Sequence, residues 1–299
     1  DSGADSLNGL SAATTWNVNA ISHSLSAVSQ SLAFSSIETV NGSSAIDTFN
    51  INSTPTLNLN GGAGDDVFNF AANANLTVVI DGQSGSDQLL FTNYNASVTV
   101  TLNTVGTTDG FNGTASGING TFANIDSIIG STSTTDTLNG ANLSNNWKFE
   151  VGSWKLEVGS NSLTFSAIET LNGGTSDDTF TVANTASFNG AISGGAGNDT
   201  LGYAGNTTNR TVTLTALGAT DGFNGTASGI ANGFSNINAL VGGNGSDALT
   251  SVNGGLWSVV SANSGTFTNT NTLAFSSVEN LIGGSGADTI SYATYTTSV

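Results

Sequence analysis

Gly194-Gly195-Ala196-Gly197-Asn198-Asp199-Thr200-Leu201 reads as a glycine turn that hands over to a strand. Glycine supplies the left-handed conformations and the close backbone approach of a tight turn. Alternate strand residues face one side, so the leucine two places after Asp199 points inward. Close copies are Gly61–Phe68, Gly242–Leu249 and Gly283–Ile290. Looser copies end in Asp5-Ser6-Leu7, Asp47-Thr48-Phe49, Asp87-Gln88-Leu89, Asp136-Thr137-Leu138 and Asp178-Thr179-Phe180, making nine in all.

The intervals between the nine aspartates are 42, 19, 21, 49, 42, 21, 48 and 41 residues. Most are one or two units of roughly 20 residues, the length of one turn of a β-solenoid. The intervals of 49 and 48 both contain Asp-Gly-Phe-Asn-Gly-Thr-Ala-Ser-Gly-Ile, at 109–118 and 221–230, read as a side excursion from two turns. Its Phe111 and Phe223 either contact a ligand or, the favoured reading, fold back over the core.

A second motif, Phe34-Ser35-Ser36-Ile37-Glu38-Thr39-Val40, returns at 122–128, 165–171, 234–240 and 275–281. Its apolar residues at i, i+3 and i+6 indicate a bent strand with a corner. Trp16, Trp147 and Trp257, like Glu38, Glu169 and Glu279, are spaced 131 and then 110 residues. The longer first unit holds one inserted turn around 61–80, which an architecture of nearest-neighbour contacts tolerates. The expected fold is all-β: a single elongated parallel β-solenoid, or β-helix, of about 15 coils of roughly 20 residues. It runs as one body over 1–299, with repeat units of about 1–131, 132–242 and a partial 243–299.

Composition removes several functions. Lys148, Lys155 and Arg210 face 21 acids, for a formal charge of −18, so nucleic acid and anionic membrane surfaces are poor partners. No apolar run approaches the ~18 residues of a membrane span. The absence of cysteine excludes disulfides and thiol chemistry. His23, the one histidine, lies in a serine-rich stretch and reads as a solvated side chain.

The Gly-Gly-x-Gly-x-Asp-x-Leu units resemble the calcium-binding nonapeptides of repeats-in-toxin proteins. The larger unit, with its tryptophan and Phe-Ser-x-Ile-Glu-x-Leu, is similar to tandem repeats of giant bacterial surface proteins of the haemagglutinin and adhesin type. This resemblance implies a secreted bacterial β-solenoid at the cell surface, used for adhesion or for building an extracellular fibre. Its partners would be further copies of itself, cell-surface glycans or other cells. Toxin nonapeptides follow one another directly, whereas here one motif occurs per coil or per two coils. Only Asp66/Asp87 and Asp178/Asp199, each 21 apart, can stack as neighbouring turns, with Asp47 joining the first pair. They either share a Ca2+ ion through oxygen ligands or cap their own turns by accepting backbone N–H groups.

Enzymatic activity is not expected. A β-helix lyase would want a basic residue beside calcium-binding acids, and a glycosidase two convergent carboxylates. Asp65/Asp66 and Asp177/Asp178 are strand neighbours facing opposite ways, and Lys148 and Lys155 beside Glu150 and Glu157 read as a solvated charged face. Polysaccharide binding or cleavage on a β-helix stands as the alternative. Threonine arrays are too short and irregular for binding a crystal lattice. The closing Tyr292–Val299 matches segments that run on as strands after Tyr94 and Tyr203, and Asp1–Asp5 opens inside a motif. Both ends therefore read as open edges, continued in tandem or stacked end to end.

Overall fold

The computed structural model describes residues 3–27, 29–293 and 295. The chain is all-β, with no helix among the described residues, and its strands pair mostly in parallel. It divides into two compact units, 1–139 with 157–169, and 140–156 with 170–299.

In the first unit, one sheet runs Ser6–Asn8, Thr39–Asn41, Asn58–Ala63, Ile80–Ser84, Phe122–Ile125, Phe111–Ala115, Thr99–Val105, Thr137–Asn139. In its other sheet, Thr14–Val18 pairs with Asp47–Ile51, followed by Val67–Phe70, Gln88–Leu90, Ser127–Ile129 and Asn161–Ser166, all parallel. The second unit repeats the pattern. Thr170–Gly174, Ala191–Gly195 and Ile230–Ile237 are parallel neighbours in one sheet, and Asn146–Glu150, Thr179–Val182, Thr200–Gly202 and Ala239–Val241 in the other.

Parallel neighbours 19 and 21 residues apart are present, as Thr48↔Val67 and Val67↔Gln88. The longer intervals differ from the sequence reading. Four of them hold three-strand antiparallel meanders, at 14–34, 99–125, 211–237 and 256–276, in place of a second 20-residue turn. The repeated decapeptide is no excursion: it forms the middle strands Phe111–Ala115 and Phe223–Ala227, with both phenylalanines buried. Alternation such as Val-Thr-Val-Thr suits a parallel or an antiparallel neighbour equally, so spacing alone did not separate the two arrangements.

The corner motif bends where its pattern required. Ser36, Asn124, Ala167, Asn236 and Ser277, the third residue of each copy, have φ of 52° to 57°. That left-handed residue turns the chain from one sheet into the other.

Parallel register stacks like on like in the core. Trp16 lies over Phe49 at 5.9 Å and Phe49 over Phe68 at 4.9 Å, rings within 11° of parallel. Trp147 and Phe180 repeat the arrangement at 5.8 Å. Outside, Asn8, Asn41 and Asn60 form a hydrogen-bonded amide ladder. His23 departs from expectation: it is 7% exposed, packed 5.1 Å from the Phe34 ring, and accepts the Asn19 N–H at Nδ1. It lies on the inward face of its strand, and burial lowers its pKa.

Candidate functional site

The glycine turns place their aspartates one register step before each strand, buried side by side. In the first unit, the Thr14 N–H donates to Asp47 Oδ1 (2.8 Å), the Asp47 N–H to Asp66 Oδ1 (2.7 Å) and the Asp66 N–H to Asp87 Oδ1 (2.8 Å). The Asp87 N–H ends the series on Asp126 Oδ2 at 3.2 Å. In the second unit, the Asn145 N–H donates to Asp178 Oδ1 (2.7 Å), Asp178 N–H to Asp199 Oδ1 (2.9 Å) and Asp199 N–H to Asn238 Oδ1 (3.2 Å). Each carboxylate thus caps the N–H of the turn before it, and Asp66/Asp87 and Asp178/Asp199 are hydrogen-bonded neighbours.

Three of the remaining four, Asp5, Asp136 and Asp247, precede strands of the other sheet and use a partner that sequence reasoning missed. The N–H groups of Asp5, Asp136 and Asp247 donate to Glu38, Glu169 and Glu279 at 2.7, 2.9 and 2.7 Å. The available signal was the Asp-to-Glu separation of 33, 33 and 32 residues, which matches this shorter register.

Two turn chemistries emerge. Asp47, Asp136 and Asp247 have their second oxygen satisfied by the N–H of Ser43, Ser131 and Gly243. At the corresponding place, the four aspartates singled out from the sequence have Gly62, Gln83, Gly174 and Gly195, with φ between +74° and +135°. That conformation rotates the amide, and Oδ2 of Asp66, Asp87, Asp178 and Asp199 is left buried with no hydrogen-bond partner. Each of these oxygens lies against the preceding glycine, Gly61, Gly82, Gly173 or Gly194, where a Cβ would collide with it.

Unpartnered burial acts on protonation. Burial, with neighbouring carboxylates adding to it, raises Asp66, Asp178 and Asp199 to about 6 against the lowering effect of the capping N–H bonds. Asp87 rises to about 8, through burial first and then Asp66, Asp126 and Asp109. Asp109, in the turn before its meander's middle strand, accepts the Gly85 N–H on Oδ2, and its own Oδ1 is buried without a partner. Asp221 repeats this on Gly197.

Calcium takes six to eight oxygens at ~2.3–2.6 Å, whereas each orphaned oxygen faces glycine backbone within its own turn. Among the described residues, no group of three or more Asp, Glu, His or Cys is placed to hold a metal ion.

Asp65 and Asp177, exposed beside buried Asp66 and Asp178, accept the Ser86 and Asn198 N–H groups at 2.9 and 2.8 Å. They face away from their neighbours and form no convergent carboxylate pair with them. Lys155 lies 3.8 Å from exposed Glu150. The first unit also has a polar groove of about 440 Å³ lined by Ser86, Thr108, Asp109, Asp126, Asn161 and Thr164. Comparison with protein-family models, with curated proteins and with solved structures gave no match.

Proposed function

We propose that the chain is a structural repeat segment of a secreted bacterial surface fibre or adhesin. In this reading it is a parallel β-solenoid whose turns vary in length, assembling end to end or in tandem into an extracellular filament, with no catalysis. The observation that carries it is the carboxylate series. Buried aspartates serve to cap successive turns, so the acids that would interest an enzyme are used for stacking one repeat on the next. Parallel in-register strands extend without limit wherever another copy supplies the next one.

For Asp66, Asp87, Asp178 and Asp199, turn capping is the role the geometry supports best. EDTA should then leave the melting temperature unchanged. A fall in EDTA, restored by calcium through mass action on the folded state, would return these residues to a calcium-stabilised design. The resemblance in the glycine motifs supports a surface-protein setting, and the acidic composition suits a hydrated extracellular polymer.

The filament reading is tested by negative-stain electron microscopy of the pure 299-residue chain across protein concentration. Filaments of uniform width support stacking of separate copies, and dispersed single particles at every concentration defeat stacking and leave continuation in tandem. The groove beside Asp109 and Asp126 favours glycan binding as a second reading. Calorimetric titration with neutral and acidic oligosaccharides checks that reading: heat lost on Asp109→Asn would support it, and no heat with any of them would remove it.

A further inference from the structure

Of the four turns that leave an aspartate oxygen unpartnered, three carry glycine at the left-handed position: Gly62, Gly174 and Gly195, with φ of 113°, 135° and 103°. The fourth carries Gln83, with φ of 74°. A side chain in that region costs backbone strain that glycine avoids, and such outliers gather where a ligand is held.

Gln83 stands on the wall of an open groove of about 440 Å³, whose lining includes Gly62, Asp81, Thr107, Thr108 and Asn124, all in the first unit. Thr108 also lines the groove beside Asp109 and Asp126, so the two grooves adjoin. Hydrogen bonds fix the groove's polar groups. Asn124, 4% exposed, donates from Nδ2 to Asp81 Oδ1 at 2.7 Å, and its Oδ1 accepts the Thr108 N–H at 3.1 Å. The Gln83 N–H donates to the same Asp81 oxygen at 3.0 Å. Asp81 Oδ2 and the side-chain amide of Gln83 make no hydrogen bond among the described residues.

The second unit builds the same frame without those groups. Asn236 accepts the Thr220 N–H at 3.1 Å and donates to Ser193 Oγ at 3.2 Å. Ser193 stands where the first unit has Asp81, and Gly195 where it has Gln83. Both differences lengthen a polar side chain at one groove, and one of them does so against backbone strain. Turn capping explains neither, because Asp199 caps its turn with Ser193 and Gly195 as Asp87 does with Asp81 and Gln83.

We propose that Asp81 and Gln83 form a contact site for an uncharged saccharide. The proposal deepens the glycan reading of the adjoining groove and rests on it. A carboxylate oxygen accepts hydroxyl protons, and a primary amide both donates and accepts, which suits adjacent hydroxyls on a sugar ring. Lys148, Lys155 and Arg210 line neither groove, whereas Asp81, Asp109 and Asp126 do, so an acidic sugar is repelled.

The test is calorimetric titration with tetrasaccharides of glucose, of N-acetylglucosamine and of galacturonate. Saturable heat is expected with at least one of the first two, at one site per chain, and none with galacturonate. Asp81→Ser with Gln83→Gly writes the second unit's residues into the first, a combination this chain already folds. Affinity should fall about tenfold or more, through the lost hydrogen bonds to a charged and an amide group, while the melting temperature stays level or rises. Gln83→Gly alone relieves the strain and should also weaken binding; an unchanged affinity there would overturn the role of Gln83. Parent-like affinity in the double variant, with affinity lost in Asp109→Asn, would overturn this site and leave the glycan reading standing. Binding of galacturonate alone would overturn the assigned chemistry. No heat with any of the three would overturn the site and the glycan reading together.

Discussion

At the scale of single residues, the aspartates do two jobs that the sequence did not distinguish. That Asp66/Asp87 and Asp178/Asp199 would be neighbours was legible from their 21-residue spacing. That their second oxygens would be orphaned was not, because it depends on the φ of Gly62, Gln83, Gly174 and Gly195. The orphaned oxygens make stability depend on pH. Folding raises these groups from the ordinary ~3.9 to about 6, and to about 8 for Asp87, so the native state binds more protons over that window. Their contribution is complete below about pH 4 and is lost as pH rises through 6 to 8. Melting followed by circular dichroism at constant ionic strength should show a falling midpoint from pH 5 to pH 8, and a flat or rising one would refute this. Asp87→Asn keeps the acceptor for the Asp66 N–H and removes the buried charge. Asn145 shows that an amide fits such a turn, since its Nδ2 meets the Ala141, Leu143 and Gly173 carbonyls at 2.8–3.0 Å. Urea unfolding at pH 8 should find Asp87→Asn at least as stable as the parent. Asp87→Ala should cost about 1–3 kcal/mol, because it strands a buried N–H.

At the scale of strands and turns, the glycine before each orphaned oxygen is a steric requirement. Gly173 lies where a Cβ would meet Asp178 Oδ2, whereas a Cβ on Gly202 would meet nothing nearer than 3.8 Å. Gly173→Ala should lose about 1–3 kcal/mol by overpacking. Gly202→Ala, at the last residue of Thr200–Gly202, should be neutral or gain up to about 1 kcal/mol. Equal denaturation midpoints for the two would contradict the packing described. Phe68, stacked on Phe49, should cost about 3–5 kcal/mol when cut to alanine. The corner motif was readable because its apolar period of three fits neither a straight strand nor a helix. The meanders were not readable. Forty-two residues hold either two short turns or one turn with an antiparallel strand pair, and Thr99–Val105 alternates the same way in both.

At the scale of the whole molecule, the proposed fibre sets edge pairing against charge. Copies carrying −18 repel one another, and this repulsion is screened over about 8–10 Å at physiological salt. Assembly should therefore strengthen from low to moderate ionic strength, which light scattering across a salt series checks. The most direct measurement is sedimentation velocity of the unmodified chain from micromolar to higher concentration in ~0.15 M salt. The account predicts species above the 29.8 kDa monomer that grow with concentration. A single 29.8 kDa species at every concentration would contradict end-to-end assembly of separate copies.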